Sequence, residues 1–197
     1  MAEYNSVNAA LGFVNIELRS TALKRAGILL ERAPEKVKIA ISHAVNRSLE
    51  AYKTASLRET AKKYYVKQKD IRASLTLKKS YGGAMNGAVI AKGPRRSLTE
   101  YKFAPRKGPT ASGKVSAAVK KAGGLKHMRT ARLTSNSFGS PVILIYNEES
   151  KRWRRATSPS VPQLMKNQET MDTAQQKSGE VFEQRLQHEL GRIGFLP

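Results

Sequence analysis

Between residues 61 and 132 the chain carries 19 Lys and Arg residues against two acidic ones, Asp70 and Glu100. A stretch this cationic repels itself when compact, so it must be spread over a surface or face a counter-charge. The flanks are ordinary by comparison: 9 basic and 6 acidic residues in 1–60, 4 and 2 in 133–160, and 4 and 5 in 161–197. The net charge of +21 is therefore concentrated in the middle of the chain. It calls for a polyanionic partner, whether nucleic acid, an acidic protein surface or an anionic membrane. The length of 197 residues suits one domain, residues 1–197, and 40% apolar residues allow a sizeable core. The absence of Cys excludes a disulfide scaffold, Cys-ligated zinc, iron–sulfur clusters and thiol catalysis. No apolar run approaches the roughly 18–20 residues a membrane span needs, and the opening stretch from Met1 to Phe13 lacks a secretory leader pattern. A membrane is not expected among the partners.

Periodicity predicts helices at both ends and strands between them. Leu18, Ala22, Ala26 and Leu29 fall on one helical face, predicting a first helix over about 16–31. Pro34 suits the first turn of a second helix, in which Val37, Ile41, Val45, Leu49 and Tyr52 recur every three or four residues, running to about Ala61. Ile71 and Leu75, four apart, predict a short connector helix pinned on the core; a helix-turn-helix is less well supported, because the turn lacks its usual Gly. Strand-like runs follow at 76–79, 88–91, 98–103, 115–120 and 141–146, with the last reading as the most buried. The stretch 102–125, rich in Gly, Pro and Lys, predicts a long projecting basic loop or hairpin. Ser160 as cap and Pro162 in the first turn open a long C-terminal helix with Met171, Ala174, Ser178, Phe182, Leu186, Leu190 and Ile193 on one face, terminated at Gly194. The expected fold is α+β: two N-terminal helices and a long C-terminal helix packed on a small, mostly antiparallel sheet.

A search for chemistry finds little. Gly108 to Lys114 spells most of a phosphate-binding loop, but Val115 stands where a hydroxyl must reach Mg²⁺, and the context is basic coil rather than strand–loop–helix. His43, His127 and His188 show no metal-ligand spacing. Asp70 and Asp172 are the only aspartates. Glu148 and Glu149 belong at a hairpin turn, where pairing with Arg152, Arg154 and Arg155 is more natural than acid–base work. The expectation is a non-enzyme without cofactor or metal. Tyr81, Tyr101, Phe103 and Trp153 lie among basic residues and could stack on bases, although strand-period aromatics more often serve the core. Contacts to nucleic acid would be to phosphate and blind to sequence.

The run from Tyr65 to Ile71 is similar to the segment after the long helix in the minor tail protein Z, or tail completion, family of tailed phages. The likeness extends to Lys151-Arg152-Trp153-Arg154-Arg155 followed by Ser160-Val161-Pro162-Gln163-Leu164-Met165. It also takes in Arg185 to Leu190 and Ala44-Val45-Asn46-Arg47, so that it covers about residues 20–195. It departs from the family between Phe103 and Gly123. The resemblance implies a structural virion protein assembled in host cytoplasm and acting at the head-proximal end of the tail. It would form a ring, of six copies on a sixfold tube, touching the tail tube or terminator and the head–neck connector proteins, with the phage genome as a further phosphate-bearing neighbour. The candidate contacts are Lys102, Arg106, Lys107, Lys114, Lys120 and Lys121 of the basic loop and Arg152, Arg154 and Arg155 of the following turn. The alternative is a sequence-nonspecific nucleic-acid-binding protein of the same build.

Overall fold

The computed structural model describes the backbone of Val14–Ile16 together with residues 35–81 and 87–194. The architecture is α+β. The helix expected over 16–31 lies outside the described residues apart from Ile16, which ends strand β1 (Val14–Ile16).

Helix α1 (Glu35–Lys63) and helix α4 (Gln168–Arg192) form the scaffold. At 29 residues α1 is about 43 Å long. It buries the expected Val37, Ile41, Val45, Leu49 and Tyr52, and α4 answers with Ala174, Phe182 and Leu190. Each large side chain buried here contributes about 1.5–3 kcal/mol. The shared stripe also holds small hydroxyls that do not need a partner from the other helix. Ser48 Oγ donates to Val45 O (2.8 Å), Thr60 Oγ1 to Ser56 O (2.7 Å) and Ser178 Oγ to Gln175 O (2.9 Å). A hydroxyl satisfied within its own helix can be buried cheaply, and its small size lets the helices approach. The two run antiparallel. Lys63 at the end of α1 reaches Asn167 Oδ1 (3.0 Å) and Glu169 (2.7 Å) at the start of α4, while His43 stands 3.8 Å from Glu189 near its end.

The connector helix α2 (Gln68–Ala73) follows, pinned by fully buried Ile71, and leads into strand β2 (Leu75–Lys78). With β3 (Ala88–Ala91), β2 and β1 form an antiparallel sheet in the order β1-β3-β2. Register places Leu75 opposite Ala91 and Leu77 opposite Val89, so these four share the face that packs on α1. Asn46 fastens the end of β2 to the helix: its Nδ2 donates to Ser80 O (2.9 Å) and its Oδ1 accepts from Ser80 N (2.7 Å).

A second core is built from strands alone. Strand β4 (Arg96–Ser97) pairs with β11 (Thr157–Ser158). Strands β5 (Lys102–Ala104), β6 (Val115–Ala118) and β7 (Lys126–Met128) form one sheet. Strands β8 (Ala131–Ser135), β9 (Pro141–Asn147) and β10 (Arg152–Arg155) form another, in the order β10-β9-β8. Leu98, Phe103, Val115, Ala117, Leu133 and Ile143 fill the space between them. A third cluster, Tyr64, Tyr101 and Leu164, joins the two cores.

Four expectations are corrected. A single small sheet is replaced, among the described residues, by four sheets of two or three short strands, divided between two separate hydrophobic cores. The strand expected at 98–103 begins as a 3-10 turn (Leu98–Glu100). There Ser97 N donates to Glu100 Oε1 (3.0 Å), and this capping box overrides the alternation. The long C-terminal helix is two: α3 (Val161–Met165), with Ser160 and Gln163 as a reciprocal cap, and then α4, recapped by Asn167, whose Oδ1 accepts from Thr170 N (3.3 Å). Lastly, of the loop and the hairpin expected at 102–125, the hairpin is observed, β5 pairing antiparallel with β6, but it does not project. Phe103, Val115 and Ala117 carry it into the second core as β5 and β6. The connecting residues 105–114 are a strap laid along β8: Thr110 N donates to Leu133 O (3.0 Å), Gly113 N to Ala131 O (2.9 Å), and Leu133 N to Thr110 Oγ1 (3.0 Å). Among the described residues no helix is long and apolar enough to cross a membrane.

Candidate docking surface

The seam between the two cores is a short backbone pairing. As α1 ends, Tyr65 N donates to Val119 O (2.9 Å), Lys121 N donates to Lys63 O (2.9 Å), and Tyr64 bridges Lys120. Tyr101 crosses the same seam, its hydroxyl donating to Pro159 O (3.3 Å), and burial pushes its phenol pKa up.

Charge is distributed around this seam unevenly. Both acids of the cationic stretch are taken by one residue: Arg96 Nη2 lies 3.1 Å from Asp70, and Arg96 also pairs with Glu100, its Nε donating at 2.6 Å. Asp70, placed on α2, is thereby an ion-pair partner fixing α2 to β4. With both carboxylates occupied, the cations exposed along β5, the strap and β6 have no acid of their own stretch left to neutralise them.

The residues singled out from the sequence divide into three groups. Lys121 and Lys102 work within the protomer. Lys121 Nζ donates to Ala61 O (2.8 Å), capping the C-terminal carbonyls of α1, and Lys102 lies over the Tyr65 ring at 5.2 Å. Arg106, Lys107 and Lys114 are exposed on the strap, and Lys120 is exposed at the end of β6. Arg152, Arg154 and Arg155 do not form a turn; they are the strand β10, exposed along its whole length at the open edge of its sheet. The turn is at Glu148 and Glu149, as expected, with Lys151 at φ +49. No ion pair of Glu148 or Glu149 with the three arginines occurs among the described residues, so that expected pairing is corrected. The β-hairpin directs the acids off its tip and the arginines along its edge.

Trp153 on β10 is 36% exposed and stacked: the Arg132 guanidinium lies 4.1 Å from its ring centre and Tyr146 at 5.2 Å. Arg132 Nε is buried there without a hydrogen-bond partner. Of the other aromatics considered for stacking, Tyr101 and Phe103 are buried and Tyr81 is exposed. Two exposed features carry no sequence periodicity. Phe138 stands 89% exposed on a tight turn between β8 and β9, held by Asn136 Oδ1 accepting from Phe138 N (3.1 Å) and Ser140 N (2.8 Å). Arg95 and Lys166 meet Lys120 across a cleft at the seam, although they are far apart in the chain.

The chemical motifs take structural places. The phosphate-loop-like segment is the strap; it precedes a strand instead of a helix, and Gly113 serves at φ +72 because a Cβ there would meet Arg129 O at 2.9 Å. The histidines are not all separate. His43 and His188 stand 3.8 and 3.9 Å from the buried carboxylate of Glu189, which Arg192 also pairs with at 3.1 Å, and the arginine already supplies the cation a metal would bring. His127 is exposed on β7. Among the described residues no group of three or more His, Cys, Asp or Glu is placed to hold a metal ion. Compared with family models, curated proteins and solved structures, the chain matches none.

Proposed function

We propose that this chain is a structural subunit of a phage or prophage tail, of the tail completion kind, that acts by assembly and carries no catalytic step. The observation behind this reading is the uncompensated charge. Arg96 absorbs Asp70 and Glu100, and the strap residues Arg106, Lys107 and Lys114 and the β10 edge of Arg152, Arg154 and Arg155 form no ion pair among the described residues. The likeness to the minor tail protein Z family at 65–71, 151–165 and 185–190 supplies the setting. Subunits form a ring, of six copies on a sixfold tube, at the head-proximal end of the virion tail. The cationic strap and edge strand face acidic surfaces of the tube, terminator or head–neck connector, and assembly takes place in host cytoplasm. An open edge strand suits this work, because its free backbone groups can be completed by a neighbour.

The test is complementation. Tails assembled without the protein are mixed with purified protein and with heads, and joined particles are counted by negative-stain microscopy. Wild type should restore joining and appear in the particles; a variant with Ala at Arg106, Lys107, Arg152, Arg154 and Arg155 should fold and fail. Absence of the protein from joined particles overturns the reading.

One observation favours a second reading, a sequence-nonspecific nucleic-acid binder: the partly exposed Trp153 stacked on Arg132 beside three free arginines. Filter binding to random duplex from about 50 to about 300 mM salt tests it, with a steep loss of affinity expected and no binding at the low end overturning it.

A further inference from the structure

The cleft at the seam between the two cores has a volume of about 750 Å³. Its apolar wall is made by exposed Pro159 and half-buried Val119, with the edges of the buried Tyr64 and Leu164 behind them. Around that apolar patch stand Arg95, Lys120 and Lys166, all exposed. No carboxylate lines the cleft, and none of the three cations forms an ion pair among the described residues. A wider groove between α1 and α4, about 930 Å³, differs in this respect. There a carboxylate is part of the lining: Glu50 holds Arg47 at 3.1 Å, and Lys177 is engaged by Glu180 at 2.9 Å, while Lys53, Arg58 and Arg185 form no ion pair among the described residues.

We infer that the seam cleft binds an acidic peptide segment of a partner protein, one that sets an apolar side chain against Val119 and Pro159 and its carboxylates against Arg95, Lys120 and Lys166. Charge complementarity selects an anionic occupant, and the apolar wall selects among anions. The phosphates of a nucleic acid would meet only the cations, whereas a peptide alternating acid and aliphatic residues satisfies both parts of the cleft within one short segment. Three cations from separate segments, before β4, after β6 and after α3, surround one cleft, a clustering that a single charged run would lack. The site is distinct from the strap and the β10 edge, and its chemistry belongs to the single protomer, so it stands or falls apart from the tail reading.

The experiment is fluorescence anisotropy with the full chain and a labelled peptide of about eight residues, Glu and Asp around one central Leu. Binding should weaken about tenfold when Arg95, Lys120 and Lys166 are all changed to Ala. It should weaken less than about twofold when Lys67, Lys69 and Arg72, exposed and of equal total charge, are changed instead. Replacing the central Leu of the peptide by Ser should cost at least about threefold. Should the triple variant fail to fold, Arg95→Gln and Lys166→Gln taken singly should each weaken binding about two- to threefold. Equal losses from the two triple variants, indifference to the Leu, or equally tight binding of a random DNA duplex of the same charge would overturn the inference. In particles, failed joining with peptide binding intact would count against the tail reading and leave the cleft standing.

Discussion

Replacing Asn46 by Ala removes both hydrogen bonds by which α1 holds the end of β2. The amide of Asn46 acts as one more strand residue, donating to Ser80 O at 2.9 Å and accepting from Ser80 N at 2.7 Å. Ser80 is only 2% exposed, so its backbone groups cannot turn to solvent without local opening. Two neutral hydrogen bonds are worth about 1 kcal/mol each, and stranding a buried N–H adds about 1–3 kcal/mol, for an expected loss of about 3–5 kcal/mol. Ser42→Ala is the control. Its hydroxyl meets Ser80 Oγ at 3.5 Å, the long limit of a hydrogen bond, so it should cost less than about 1 kcal/mol. Urea unfolding followed by far-ultraviolet circular dichroism gives both numbers, and hydrogen exchange at 75–78 should accelerate in the Asn46 variant alone. A loss under about 0.5 kcal/mol for Asn46→Ala, or equal losses for the two variants, would refute the clamp.

Gly113→Ala should destabilise by about 1–3 kcal/mol, since the position is held at φ +72 and the new Cβ meets Arg129 O at 2.9 Å; an unchanged urea midpoint would show that the strap is not fastened to β8 there. Arg96→Met strands Asp70 and Glu100 together and should cost about 1–2 kcal/mol, with the loss reduced when Asp70→Asn is added; a double-mutant cycle without coupling would refute the shared pairing. The hydrogen bond from Lys63 holds the Glu169 carboxyl below its ordinary value of 4.5. Because the folded value is the lower one, the stabilisation is present above about pH 4.5 and lost as pH falls through the folded value. Wild type and Glu169→Gln should therefore differ in melting temperature at neutral pH and converge in acid, and a gap that widened in acid would reverse the sign.

Helix α1 is legible because its apolar spacing, its small residues and its length agree over many turns; the connector helix is legible from the Ile71–Leu75 spacing, although Leu75 itself opens β2. Strand β3 is found at its observed bounds because an uninterrupted Ala-Val-Ile-Ala run has no competing local structure. Two of the failures share a cause: a short polar motif outweighed a longer pattern. Ser97 with Glu100 turned an alternating run into a 3-10 turn, and Asn167 divided one helical face into two helices. The arginine-rich β10 resembles a turn because an edge strand exposed on both faces has no alternation to display. Phe138 gave no signal, being set apart only by the turn that exposes it.

Composition and periodicity thus determined the helical scaffold, the α+β class and the amount of positive charge, since each depends on residues near one another in the chain. Only the tertiary structure decided which of those charges remain free. Pairing Arg96 with Asp70 and Glu100, spending Lys121 on the end of α1, and bringing Arg95, Lys120 and Lys166 around one cleft all join segments distant in sequence. Coulomb energy depends on separation in space, which the order of residues along the chain does not contain.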